Sequence, residues 1–584
     1  MSKITISSIG SLGSLTKIND AVQSVTGELN NKVLYRDNPE GEANQLEQDL
    51  DMNSNVIANA KDIYTSKLYL NGERVIALSA APVDTDTSWF YEDDDANVSL
   101  GSTALDSLTS GDTNTATGYN ALLSIEYGYG NTAFGSRALE SSSGGYLNTA
   151  TGSRALYSTA SGSENTATGA SALYRNTYGS YNTATGTGAM YYNISGISNT
   201  ATGYQALRSN TTGRYNVATG EKALWSNTTA DYNTAYGVFS MYSNTTGSKN
   251  VATGHQALGS NTTGNDNTAY GYRALTSNTG GIQNTATGYQ ALRENTEGYY
   301  NVAYGGNALG FNTTGSRNTA IGSTALTFNS TGSRNSAVSF EALYSNTTGY
   351  SNTATGYQAL RSNTTGGNNT AHGYEAIRNS TSGFNNTASG YRALYANTTG
   401  DNNTATGYNA LRYNTTGNYN TAVGYQALYN NVAYVNTSGF GHDAQVTGSD
   451  QIQLGNSDTT TYVYGTVQNR SDLRDKADVR GTVLGLGFIT SLRPVDYRWD
   501  MREDYETDTP DGTHKRGRYH HGFIAQEIAK VIEESGVDFG GYQDHKVAGG
   551  EDVLSLGYDE LIGPLVKALQ ELNQKFDDYV KTHP

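Results

Sequence analysis

From Asn97 to Asn420 apolar and polar positions recur in one 17-residue frame, with twenty units and no insertion. Numbering each unit 1 to 17, position 1 is Asn in all twenty units, and position 3 is Ala in all but the first, where it is Ser99. Position 5 is Gly except Ser339, position 8 is Ala except Ser240, and position 15 is Gly except Ala230 and Tyr434. Position 9 is always aliphatic, Leu in most units and Met190, Met241 or Ile377 in the others. Alternation at 1, 3 and 5 predicts a strand with one buried face. β-Branched residues at position 2 suit a pleated strand. The adjacent Ala-Leu at 8 and 9 does not alternate and reads as one short helical turn. The Asn-Thr-Thr-Gly that follows reads as turn chemistry, with Gly at 15 able to adopt positive φ. A fixed period of this size predicts a solenoid in which each unit is one coil, with Asn at position 1 stacked as a hydrogen-bonded ladder.

Other positions vary. Position 6 is Tyr in nine units and accepts Glu221, His255 and Gly306 elsewhere, so it faces solvent. Position 4 varies too, with Phe134, Tyr236, Tyr270, Tyr304 and His372 among its occupants. Two layouts fit the period. Either each chain coils on itself and 20 coils span about 95 Å, or three chains intertwine and the rod is nearer ~290 Å. The small inner face favours the first.

Flanking segments break the pattern. Residues 1–80 read as an attachment region. Within it Ile18, Val22, Val25 and Leu29 form a short coiled-coil seam. Residues 81–96 contain Trp89-Phe-Tyr-Glu-Asp-Asp-Asp95 and read as an acidic, aromatic cap on the first coil. The repeat shaft covers 97–435. From 436 to 470 the period lapses and alternating runs such as Gln451-Ile-Gln-Leu454 suggest a β-rich neck or tip. After Ser471 the composition changes and repeats cease. There Ile562, Leu565, Leu569, Leu572, Phe576 and Tyr579 follow a 3-4-3-4-3 helical seam. A mostly β, fibrous homotrimer with an α+β C-terminal domain is the expected fold class.

Composition narrows the chemistry. The 584 residues carry a net charge of −17 and no Cys, which argues against a nucleic-acid partner and removes disulfides. No run is apolar enough to span a membrane, and none near the start reads as a signal peptide, so synthesis in a cytoplasm is expected. No cofactor or metal is expected. The Asp49–Ala60 stretch lacks the Gly and Glu of a calcium loop, and His520 and His521 have no partner cluster in the sequence.

Three phrases carry resemblances. Leu50-Asp-Met-Asn53 resembles the N-terminal virion-attachment segment of short-tailed phage fibres. The repeats look like the heads of trimeric autotransporter adhesins. Ser471-Asp-Leu-Arg-Asp-Lys476, Leu492-Arg-Pro-Val-Asp-Tyr-Arg-Trp499, His521-Gly-Phe-Ile-Ala-Gln-Glu527 and Leu556-Gly-Tyr-Asp-Glu-Leu561 occur in this order. Together they resemble the C-terminal intramolecular chaperone domain of phage endosialidases, tail spikes and tail fibres. That resemblance implies trimerisation, templating of the shaft, and self-cleavage at Arg470–Ser471 by a Ser471 nucleophile with Lys476 as base. A hydroxyl needs such a base, and a lysine serves when burial lowers its pKa.

The expected function is that of a tail-fibre protein adsorbing to a host. Its partners would be virion tail or adaptor proteins through residues 1–80 and a host-surface polysaccharide or protein. The candidate contact stripe is Tyr204, Tyr272, Tyr289, Tyr357, Tyr374, Tyr391, Tyr408 and Tyr425, since aromatic rings combine apolar area with a polar handle. The rival is a depolymerase, which needs two acids about 5–10 Å apart. The sequence offers Glu294 with Glu297, or Glu341 with Glu375, which share position 7 two coils apart.

Overall fold

The computed structural model describes residues 96–584 apart from 457, 460, 463–470, 503–504, 508, 546–552 and 584, with the backbone of Leu68–Leu70, Glu73–Ile76 and Tyr91–Glu92 upstream. The Ile18–Leu29 seam, Asp49–Val56 and Arg470 lie outside the described residues. Two compact units are present, Met1–Asn267 and Thr268–Pro584. Among the described residues no helix is long and apolar enough to cross a membrane.

In the first unit Leu68–Leu70 pairs antiparallel with Glu73–Ile76, and Tyr91–Glu92 pairs antiparallel with Val98–Leu100. From Val98–Leu100 to Val251–Thr253 three-residue strands stack in parallel, each residue opposite its counterpart one unit on, as in Thr200↔Val217 and Ala201↔Ala218. The second unit repeats the arrangement from Thr268–Tyr270 to Ser438–Phe440. The pairing is within one chain, so the chain coils on itself and the intertwined layout is excluded.

The buried face explains the invariant positions. Position-3 Ala and, after the first coil, position-9 aliphatics are fully buried, as at Ala286 and Leu292. Each position-1 Asn is also fully buried or nearly so. Asn301 Nδ2 donates to Asn284 Oδ1 at 3.1 Å and to Gly315 O at 2.9 Å, while Asn301 N–H donates to the same Asn284 oxygen at 3.0 Å. The expected ladder is therefore present, and it satisfies both the amide and the neighbouring backbone.

A second ladder was not foreseen. Position-12 Asn, taken from sequence as a turn residue, is buried as well. Asn295 Nδ2 donates to Asn278 Oδ1 at 2.8 Å and to Gly298 O at 3.0 Å, and its own Oδ1 accepts from Asn312 Nδ2 at 2.7 Å. Replacing it with an apolar residue removes a partner from three buried groups, each costing about 1–3 kcal/mol when left unsatisfied. Asn295→Leu is predicted to lower unfolding free energy by about 3 kcal/mol, measured as a shift of the urea midpoint at constant slope.

Positions 7 to 9 are not a helical turn. Gln290 and Leu292 have φ of 55° and 51°, with a residue of ordinary φ between them, whereas a helix needs consecutive negative φ. The alternation aims the position-7 and position-9 N–H groups at opposite neighbours. Gln290 N–H donates to Tyr272 O at 2.9 Å and Leu292 N–H to Ala308 O at 3.0 Å. The corner thus continues the hydrogen-bond ladder of the strand. Left-handed backbone costs about 1–2 kcal/mol at a non-glycine residue, and burying the Leu side chain contributes about 1.5–3 kcal/mol, so the two are of similar size in each coil.

The period also persists further than expected. Thr437 occupies position 1, accepting the ladder role through its N–H to Asn420 Oδ1 at 3.0 Å. Ser438–Phe440 then pairs in register, and only the next strand, Ile452–Leu454, follows after a shortened coil.

The C-terminal region contains α1 (Leu486–Ser491), α2 (Ala525–Ser535) and α3 (Ile562–Thr582). Two antiparallel strand pairs accompany them, Val495–Tyr497 with His520–Gly522 and Tyr542–Asp544 with Leu554–Leu556. Leu484, Phe488, Leu492, Ile528, Phe539 and Leu561 form their core. His545 ties the second strand pair to the last coil, its Nδ1 lying 3.0 Å from Thr447 Oγ1 and 2.5 Å from Gln451 Nε2, with Nε2 at 2.9 Å from Ser555 Oγ.

Candidate self-cleavage site and surface stripes

Ser471 and Lys476 meet because one tight turn separates them. Asp472 caps a 3₁₀ turn over Leu473–Asp475, its carboxylate accepting the Arg474 N–H at 2.9 Å. Arg474 also binds that carboxylate through its guanidinium. These bonds, led by the guanidinium, hold the Asp472 carboxyl below its usual range. The turn closes with Lys476 N–H on Leu473 O at 3.2 Å. Lys476 Nζ consequently lies 2.6 Å from Ser471 Oγ, within reach for proton transfer. Both residues are solvent-exposed. The single chain therefore supplies the contact in an open, solvent-accessible setting.

The other three C-terminal phrases build one cluster. Arg493 Nε donates to Glu527 Oε2 at 3.0 Å, and this pairing lowers the Glu527 pKa. Asp496 lies 2.5 Å from His521 Nδ1 across the first strand pair. The His520 ring stacks on Tyr497 at 5.9 Å. Tyr558 Oη accepts the Phe523 N–H at 3.2 Å, and a Cβ at Gly522 would collide with that hydroxyl, which explains the glycine. Glu571 on α3 accepts the Leu486 N–H at 2.7 Å, and that bond lowers its pKa.

Along α3, Ile562, Leu565, Leu569, Leu572, Phe576 and Tyr579 are 45–65% exposed. The seam read from sequence is thus a helical stripe left uncovered among the described residues, whereas Pro564 and Ala568 on another face are buried.

The tyrosines of position 6 are 37–55% exposed along the candidate stripe. Phe340, Tyr357, Tyr374, Tyr391, Tyr408, Tyr425 and His442 form one continuous stack with centroid spacings of 5.0–5.6 Å. Tyr272 and Tyr289 stack at 5.4 Å, and Tyr204 has Lys222 Nζ 5.9 Å from its ring centroid. In the long stack ring faces are covered by their neighbours, and edges and hydroxyls face outward.

The candidate acid pairs are engaged elsewhere. Glu341 Oε2 accepts from Arg361 Nε and Gln358 Nε2, both at 2.7 Å. Glu375, with its side chain 8% exposed, holds Arg392 at 2.7 Å and Arg378 at 3.3 Å. Glu294 pairs with Arg293 at 2.7 Å, and Glu297 accepts from Thr279 Oγ1 at 2.8 Å. Three of the four carboxylates are thus held by guanidinium groups and the fourth by a hydroxyl. Sequence spacing brought Glu341 and Glu375 together but gave no sign of their arginines, which come from position 10 of the next coil (Arg361), position 10 of the same coil (Arg378) and position 7 of the next (Arg392).

Residues 471–537 match the family described as chaperone of endosialidase. Comparison with curated proteins gives no match. The match begins at Ser471 and runs through α2. It supports an intramolecular chaperone domain at the C-terminal end of a β-solenoid.

Proposed function

We propose that this chain is a homotrimeric phage tail fibre that adsorbs to a host surface and whose C-terminal domain directs trimer assembly and then cuts itself away. The observation that carries the reading is the exposed apolar seam of α3 beside a chaperone-type domain that follows a self-coiling solenoid. A stripe of six large apolar side chains in water is what a parallel helical assembly buries.

Assembly would also complete the cleavage site. Ser471 Oγ attacks the Arg470 carbonyl carbon as neutral Lys476 takes the hydroxyl proton. The Arg470–Ser471 amide breaks as its nitrogen is protonated, leaving an ester on Oγ that water hydrolyses. Packing of neighbouring chains around the exposed Lys476 supplies the desolvation that the single chain lacks, so cutting is coupled to trimer formation.

Residues 1–80 attach the fibre to virion tail or adaptor proteins. The solenoid presents repeated tyrosine edges, hydroxyls and amides, so weak contacts with a repetitive polysaccharide add by avidity. Glu294, Glu341 and Glu375 are tied to arginines and Glu297 to Thr279, and the polysaccharide is held rather than cut. The predicted result is that fluorescently labelled protein co-sediments with cells of a susceptible bacterial strain and releases no reducing sugar from them. Absence of co-sedimentation across a strain panel overturns adsorption, and sugar release restores the depolymerase reading.

A further inference from the structure

Positions 16 and 17 of four consecutive coils make a feature unlike the rest of the surface. Tyr299 and Tyr350 stand three coils apart, and between them position 16 shrinks to Ser316 and Ser333. The result is a cleft of about 280 Å³ lined by these residues and by Arg317 and Arg334. Its floor is rigid. Ser316 Oγ accepts the Tyr299 N–H at 3.1 Å and Ser333 Oγ accepts the Ser316 N–H at 3.1 Å. Tyr350 leans away over Gly367, where a Cβ would lie 3.0 Å from the ring, toward Phe384.

The two arginines sit one coil apart, at the strand spacing of about 4.8 Å. Elsewhere on this unit Arg293, Arg361, Arg378 and Arg392 each hold a carboxylate. Arg317 and Arg334 hold none among the described residues. Arg317 instead lies over the Tyr299 ring at 5.7 Å. Two guanidinium groups thus stand on adjacent coils without a carboxylate between them among the described residues, in a chain of net charge −17. Their repulsion is relieved by an anion placed between them, and a planar carboxylate matches the guanidinium fork.

We infer that this cleft binds one carboxylate-bearing sugar residue of an acidic polysaccharide. The carboxylate lies between Arg317 and Arg334, and the pyranose ring fills the gap over Ser316 and Ser333 between the tyrosine walls. A volume just below that of typical small-molecule pockets suits one such residue. The inference rests on the adsorption reading and gives it a chemical class of receptor.

The test uses full-length protein titrated calorimetrically with oligogalacturonate, alginate oligomers and hyaluronan fragments, beside maltoheptaose and mannose 6-phosphate. At least one carboxylated probe is expected to bind while the neutral and phosphorylated ones do not. R317A/R334A is expected to weaken that binding at least tenfold with an unchanged thermal melt. R317K/R334K, which keeps charge but loses the fork, is expected to fall between. Binding that the double alanine variant leaves unchanged, binding of mannose 6-phosphate alone, or no binding of any carboxylated probe overturns the site. Cell co-sedimentation of the same variants separates the two ideas. Wild-type adsorption without carboxylate binding sinks the cleft alone, and no wild-type adsorption sinks the receptor role while the titration still judges the cleft.

Discussion

Purified wild-type protein is expected to give two masses, for residues 1–470 and for a 114-residue fragment (584 − 470), whereas Ser471→Ala gives one full-length mass. The alanine variant removes the hydroxyl oxygen that lies 2.6 Å from Lys476 Nζ, so the effect is complete loss rather than slowing. Lys476→Arg tests the base separately. Arginine keeps the positive charge but does not give up its proton in proteins, so it too should leave the chain whole. Both groups are exposed in the single chain and are expected to be covered on assembly, so cutting should track trimer formation. Leu569→Asp with Leu572→Asp places charge on the exposed seam of α3 and is expected to yield uncut monomer by sedimentation. Cut monomer would show that Lys476 works without desolvation. A wild-type chain that stays whole as a trimer would remove the dyad and leave the domain as a permanent tip.

The second large effect is expected at position 5. Gly288→Val should lower unfolding free energy by about 3–5 kcal/mol, combining strained backbone with overpacking. Gly288 has φ of 136°, and a Cβ there would lie 2.5 Å from the Gly305 carbonyl oxygen in the next coil. Ser339 shows what a side chain at this position entails. Its φ shifts to 120°, and the Gly356 N–H to Val338 O bond lengthens to 3.0 Å against 2.7 Å for Gly322 N–H to Tyr304 O. Valine adds two methyl groups to that demand. Gly306→Ala serves as the control, since a Cβ there meets nothing within 4 Å, and surface changes of this kind stay within about 0.5 kcal/mol. Urea midpoints of the three proteins decide the matter, and equal midpoints for Gly288→Val and wild type would refute the close-approach argument.

What could be read from sequence was whatever depends on one residue and its copies. Asn97 to Asn420 repeat, so a buried, self-stacking Asn ladder followed from position 1 alone. Position 12 has the same ladder, yet Leu108, Ile125, Ser142, Thr159 and Ser380 replace Asn there, and Asn-Thr-Thr-Gly resembles an ordinary turn. The corner at Gln290 and Leu292 was misread because left-handed φ at bulky residues runs against local preference, and only the neighbouring coils make it worthwhile. Thr437 in place of Asn hid the extra coil, since its hydroxyl and N–H take over the ladder without the expected residue type. In the C-terminal domain, order and wording of the phrases pointed to Ser471 and Lys476, whose side chains lie 2.6 Å apart. Their mutual contacts, such as Arg493 with Glu527 and Tyr558 with Phe523, depend on tertiary folding and could not be read from spacing. The arginines that bind Glu341 and Glu375 were missed for the same reason, as was the cleft at Arg317 and Arg334.

In-register stacking of near-identical coils has a genetic consequence. The buried ladder amides contact their copies one coil away, 17 residues along the chain. Deleting or duplicating a whole unit therefore restores each contact to an equivalent partner, while a change of any other length breaks both amide ladders at once. Tandem coding repeats recombine readily, so such genes should change length only in whole-coil steps. Each step would leave the fold intact and shift which exposed side chains fall beside one another. The same symmetry that makes the interior tolerant makes the surface a set of interchangeable tiles, among which the Arg317–Arg334 pairing is one arrangement that unequal crossing-over can create or erase.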